Sequence, residues 1–223
     1  HTIQFAMRHY RRAGAVTLCI DSVGNCFDAP SKSVDALPWL LHSIVVSHYP
    51  LNKSDIIFLN RVLRRYCKTY LNKNGDIRSA NFAEMRDAVM YDRSAYATTL
   101  VARLAHCTKK LGLEFPYHED QYRELLITHY WNGHYFNADY NNTAFSAECA
   151  LFPFYLGIVK DEAMANQTFD YINKQKLNEP YPLIYTHTPQ KFHYHWCMFA
   201  PWMPNYQGDT IWSWHGEYYL HLL

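Results

Sequence analysis

The chain lacks any apolar run of the roughly 18 residues that a membrane-spanning helix requires, so no membrane segment is expected. It has no CxxC pair. Its six cysteines (Cys19, Cys26, Cys67, Cys107, Cys149, Cys197) are scattered, which argues against a zinc ribbon or a thiol redox motif. Glycine is sparse, and the stretch DSVGN at 21–25 has a single Gly with no following Lys, so no phosphate-cradling loop is present. A Gly-x-Ser-x-Gly elbow is also missing, which argues against an α/β-hydrolase. There is no charge surplus, since 21 Lys and Arg face 20 Asp and Glu. Neither a nucleic acid nor an anionic membrane surface is therefore an expected partner. No fixed-period repeat marks a solenoid.

The opening HTIQFAMRHYRR has neither an initiator Met nor the basic-then-apolar plan of a signal peptide, and it starts on a helical pattern. The closing IWSWHGEYYLHLL stops inside one. The expectation is that the chain is a segment of something longer. Scattered, core-like cysteines favour a reducing compartment. Three sequons, at Asn52, Asn141 and Asn166, pull the other way. The expected location is cytoplasmic.

What the chain does have is aromatic surface. Tyr, Phe and Trp make up 17% of it, His reaches 13 residues, and charged residues are only 18%, against roughly a quarter in ordinary domains. Flat rings with a polar handle fill cores, and they also suit a groove for something both hydroxylated and partly apolar. A sugar fits, because its axial C–H face packs on a ring while its hydroxyls need hydrogen bonds.

Hydrophobic periodicity predicts about eight helices joined by short turns. A first helix covers 2–13 and ends at Gly14; a second runs from about Ser33 to Tyr49, with Ser33 as N-cap and Pro50 as stop; a third, capped by Asn52, covers about 54–71. Its basic face, with Arg61, Arg64, Arg65 and Lys68, reads as solvated. Further helices are expected at about 93–111, stopped by Gly112, and at 118–131, 144–158 and 161–175, with the last starting near Thr210. HYFNADY (134–140) and LIYTH read as strands or extended loop. Antiparallel hairpins with no βαβ alternation predict a single all-α domain over residues 1–223.

Two segments carry more than helix chemistry. The connector AEMRDAVMYDRSAY places Glu84, Arg86, Asp87 and Asp92 ahead of a helix rich in small residues. A carboxylic acid there serves as a general acid if burial raises its pKa against the pull of Arg86. The structural alternative is Asp92 as a helix cap and Arg86 with Asp87 as a surface pair. The second segment, NYQGDTIWSWHGEYYLHLL, places Trp212 and Trp214 at a helix start. Asp209 or Thr210 is expected to cap that helix, Gly208 lets backbone approach a ligand, and Gln207 and His215 are placed to read hydroxyls.

Four runs in order, SVDALPWLLHSI (33–44), NFAEMRDA, AFSAECALFPFYLGIV (144–159) and YQGDTIWSW, resemble segments of the six-hairpin glycosidase superfamily, closest to amylo-α-1,6-glucosidases and glycogen-debranching proteins. SVDALPWLLHSI (33–44) is similar to their Ser-Val-Asp-Ala-x-x-Trp helix start, and NFAEMRDA to their Trp-Arg-Asp acid loop. AFSAECALFPFYLGIV (144–159) is similar to their Phe-Pro-Phe helix, and YQGDTIWSW to their Tyr-x-Gly-x-x-Trp-x-Trp segment. The resemblance implies an (α/α)6 toroid, of which this chain would hold about two-thirds, with the active site in a bowl at one end. It implies an inverting glycoside hydrolase acting on an α-linked glucan or oligosaccharide, with Asp87 as acid. Glu148 and Glu217 are the candidate bases within the chain, and a base beyond Leu223 is the third option. Asp35, Trp39, Arg86, Tyr206, Gln207, Trp212, Trp214 and His215 are the expected substrate contacts. Met85 and Glu148 depart from the family pattern, at positions where it prefers an aromatic and an Asp.

Other constellations are weaker. His193, His195 and upstream His187 form a His-x-His pair with no third ligand at motif spacing, so no metal and no cofactor are expected. The expected partners are a carbohydrate substrate and either a second copy or a missing companion segment. Two further readings stay open: a non-catalytic carbohydrate-binding or regulatory helical module, and a helical scaffold whose aromatics are all core.

Overall fold

The computed structural model describes residues 1–28, 31–80, 82–85, 91–187 and 207–223. The described residues form an all-α protein. The helices are α1 (Thr2–Ala13), α2 (Ala36–Val46), α3 (Lys53–Tyr70), α4 (Ala95–Leu111), α5 (Glu119–Leu125), α6 (Ala147–Tyr155), α7 (Glu162–Lys174) and α8 (Ser213–Leu222). A π-helical turn, Leu126–Tyr130, follows α5 directly. The two short strands, β1 (Cys19–Ile20) and β2 (Cys26–Phe27), pair antiparallel with Cys19 opposite Phe27. No helix among the described residues is long and apolar enough to cross a membrane.

The chain folds as two compact units. The first comprises residues 1–85 and 100–121, the second residues 86–99 and 122–223. In the first unit, α1 packs on α2 and α3, with Met7, Leu41, Ile44, Leu59 and Leu63 buried. Helix α1 ends as expected at Gly14, whose φ of 72° is the left-handed geometry that a C-terminal cap favours. Helix α3 opens with a capping box: Asn52 Oδ1 accepts from the Asp55 N–H, and Asp55 Oδ2 accepts from the Asn52 N–H. Buried Asp55 also receives Arg11 Nη1 at 2.9 Å, which ties α1 to that cap.

Helix α2 is shorter than the periodicity predicts. Asp35 holds the N-cap position, yet the Ala36 N–H donates to Ser33 Oγ, so Ser33 supplies the capping oxygen from two residues further out. At the other end His48 turns left-handed (φ 52°) and stops the helix before Pro50.

The second unit is built on α6, which is buried on nearly every side. AECALFPFY has no polar face, as expected of a helix surrounded by protein rather than lying on its surface. Phe145, Ala147, Leu151, Ile172, Leu183 and Tyr219 form its main cluster. Helix α8 runs alongside α6 in the same direction: Phe152 meets Tyr218 (4.7 Å between ring centres), and Tyr155 meets Tyr218 (4.6 Å) and His221 (5.5 Å). Gly216 lets Pro182 lie close against α8, since a Cβ there would strike the proline ring.

The extended segments are thinner than expected. HYFNADY contributes two isolated bridges, Trp131 with Phe136 and Ser94 with Asp139, and LIYTH contributes one, Ile184 with Ile211.

Candidate functional site

Of the expected site residues, Trp212 and His215 pack on Tyr185 in the second unit, Trp214 lies beside both, and Glu148 and Gln207 are next in the chain to residues bonded to the Tyr185–Thr186 segment. The Tyr185 carbonyl accepts from the Ala147 N–H (2.9 Å), the residue before Glu148 at the start of α6. Its N–H donates to the Thr210 carbonyl (2.8 Å), and the neighbouring Thr186 N–H donates to the Gly208 carbonyl (3.0 Å). Its ring lies 4.9 Å from the His215 ring and 5.7 Å from Trp212. Tyr185 therefore holds the N-terminal ends of α6 and α8 at one place. The parallel course of the two helices requires the same, because each step from Tyr155–His221 to Phe152–Tyr218 leads back toward Glu148 and His215.

The polar members are deeply placed. Glu148 and His215 have no exposed surface and Gln207 has 1%. Glu148 Oε1 accepts from Ser146 Oγ at 2.7 Å, and Cys149 Sγ lies 3.8 Å from the same oxygen. Thr186 Oγ1 donates to the Phe145 carbonyl (2.6 Å), which closes the segment against the start of α6. Gln207 adopts a left-handed backbone (φ 56°), a geometry that costs a non-glycine residue and recurs where structure is held for function.

The indoles form the wet edge. Trp214 is 37% exposed, lies 5.9 Å from Trp212 and stacks on His215 at 5.5 Å with 21° between planes. The expectation that Asp209 or Thr210 caps α8 needs correction: Trp212 occupies the N-cap position with no side-chain cap bond, and Thr210 Oγ1 instead accepts from Trp212 Nε1 at 3.1 Å. Thr210 orients the indole. Glu217 sits one turn further along α8 and is exposed, beside Tyr218.

Asp35 and Trp39 belong to the first unit. Buried Asp35 accepts from Ser33 Oγ, and its charge adds to the burial that raises the Tyr70 phenol. Trp39 meets His42 edge-on at 5.4 Å. His42 Nδ1 accepts from Arg103 Nε (2.9 Å), and its pKa falls to about 4 through burial first, then the charges of Arg103 and His106. Asp87, Arg86 and Tyr206 lie outside the described residues, as do His193 and His195. Burial lowers the pKa of His187, and no group of three metal-capable side chains occurs among the described residues.

Sequence reasoning missed two features. Tyr185, the organiser, sits in a segment whose only signal was its strand-like pattern. The first unit also holds a cleft of about 440 Å³ lined by His106, Lys109, Phe115, Tyr117, Glu119 and Asp120, in which His106 Nδ1 lies 2.8 Å from Glu119 Oε2. That pair joins α4 to α5 across the Gly112 turn, so the helix–Gly–helix pattern was the available clue. No protein-family model, no curated protein and no solved structure matches this chain.

Proposed function

We propose that the protein is a glycoside hydrolase acting on an α-linked glucan or oligosaccharide, built on an (α/α)6 arrangement of helical hairpins. The observation that supports it is the packing of Trp212 and His215 on Tyr185, with Trp214 beside both and Glu148 and Gln207 next in the chain to residues bonded to that segment. Buried polar groups beside a half-exposed indole pair match a ligand with one apolar face and several hydroxyls. In this reading the C–H face of a sugar ring packs on exposed Trp214, which His215 backs by stacking against it. Asp87 donates a proton to the glycosidic oxygen, and a second carboxylate, Glu148 or Glu217, activates a water on the opposite face. Inversion needs roughly 6.5–9.5 Å between the two carboxyls, to leave room for that water.

The test is a screen of α-glucosides and trehalose-like disaccharides for both hydrolysis and thermal stabilisation. Asp87→Asn is expected to abolish turnover while leaving saccharide binding within about twofold; turnover retained by that variant would remove Asp87 from its role.

A non-catalytic carbohydrate-binding module is the second reading. It is favoured by the placement of Glu148, which is wholly buried and already engaged by Ser146. Saccharide binding with no hydrolysis of any α-glucoside by the unaltered protein selects this reading over the first.

A further inference from the structure

The segment that leaves the acid-loop connector is held in an unusual way. Arg93 has a left-handed backbone (φ 54°), which the Cβ of any non-glycine residue resists. Three contacts keep it there. Tyr130, the last residue of the π-helical turn, donates its hydroxyl to the Arg93 carbonyl (2.7 Å). Asp139 Oδ2 accepts from the Asp92 N–H (3.1 Å), and the Ala95 N–H donates to the Ala138 carbonyl (3.1 Å). The guanidinium lies 4.0 Å above the Tyr140 ring, and that ring also stacks with His129. A π-turn and a left-handed arginine bonded directly to each other are two features that concentrate at functional sites.

The side chains are presented as a loose ion pair, with no hydrogen bond between them. Arg93 Nη2 and Asp92 Oδ2 stand 3.6 Å apart, beyond hydrogen-bond reach, and each side chain is about a third exposed. Their inward atoms, Asp92 Oδ1 and Arg93 Nε, meet no hydrogen-bond partner among the described residues. A fold selected for stability alone gains little from such a pair and loses by the strain.

The pair is also tied to the site described above. The Ala138 carbonyl that anchors α4 through Ala95 receives Cys149 Sγ as well (3.5 Å), and Cys149 is the neighbour of Glu148. Asp139, whose two oxygens are taken by the Asp92 and Asn141 N–H groups, is a scaffold rather than a ligand contact.

We infer that Asp92 and Arg93 bind a vicinal diol of the sugar, as a specificity-determining extension of the Glu148 site. One outward acceptor beside one outward donor suits two adjacent hydroxyls, the first donating to Asp92 Oδ2 and the second accepting from Arg93 Nη2. An anion would meet Asp92 and Asp139, and a cation would meet Arg93, so a neutral polyol is the matching class. The inference rests on the glycoside reading.

The experiment compares the full chain with Arg93→Gly, Arg93→Lys and Asp92→Asn, using maltotriose, trehalose and p-nitrophenyl α-glucoside as probes. Glycine accepts the left-handed backbone, so Arg93→Gly is expected to keep or raise the melting temperature. At the same time it weakens saccharide binding at least tenfold, with KM raised and kcat within threefold. Asp92→Asn is expected to act in the same direction, and Arg93→Lys to fall between. For a monodeoxy analogue lacking one of the two hydroxyls, the original protein should bind no better than Arg93→Gly binds the parent sugar. A lower melting temperature with unchanged affinity in Arg93→Gly makes the pair structural and overturns the inference, while the glycoside reading stands. Failure of the original protein to bind any of the three probes removes both.

Discussion

At the scale of single residues, a few side chains are held so tightly that small changes have calculable effects. Gly216 is the clearest. It lies buried on α8, with the ring of half-buried Pro182 where a methyl group would go. The clash involves a stiff ring rather than the far end of a flexible side chain, so it is not cheaply relieved. Gly216→Ala is therefore expected to cost about 1–3 kcal/mol, the usual penalty of overpacking a filled core, although alanine is the better helix former. The urea midpoint measures it, and an unchanged midpoint would mean that α8 does not pack on Pro182. The same scale explains why Cys67 and Cys107 are chemically quiet. Burial pushes both thiols up to about 11, which leaves them protonated and unreactive near neutral pH.

At the scale of elements, the local signals that were legible are those whose physics is local. Gly14 and Gly112 end α1 and α4 because both have left-handed φ, which the Cβ of other residues resists. Asn52 caps α3 because a short side-chain oxygen reaches the N–H three residues on. Asn52→Ala is expected to destabilise by roughly 1 kcal/mol, read as a drop in the urea midpoint with an unchanged slope. Signals that depend on distant partners were not legible. Thr210 has the chemistry of a cap, but the Trp212 indole competes for its hydroxyl and wins, so α8 starts three residues later than Thr210. The π-helical turn after α5 has no sequence mark of its own; its Tyr130 is committed to Arg93, 37 residues earlier. The candidate site was half legible for the same reason. The Trp212–His215 run stands out in one dimension, whereas Tyr185 matters only because three segments meet at it.

At the scale of the whole molecule, protons couple to stability through His42. In the folded state its pKa is lowered to about 4, with burial as the main cause and the charges of Arg103 and His106 adding to it. The unfolded chain binds a proton at the ordinary imidazole value of 6.5. Between those two values the unfolded state carries more protons, so the stability is fully present above pH 6.5 and is lost as pH falls toward 4. The melting temperature is expected to decline across that window, and His42→Gln, which keeps an acceptor for Arg103 but cannot protonate, should flatten the decline. An unaltered slope in that variant would assign the acid sensitivity to other groups.

The company kept by Tyr185 has a thermodynamic corollary. Its partners come from positions as far apart as Ala147 and His215, so no local stretch of chain can assemble this cluster in advance of the finished fold. A ligand that binds this cluster in the folded chain and not in the unfolded one, at a hundred times its Kd, would therefore clasp α8 in place by about 2.7 kcal/mol.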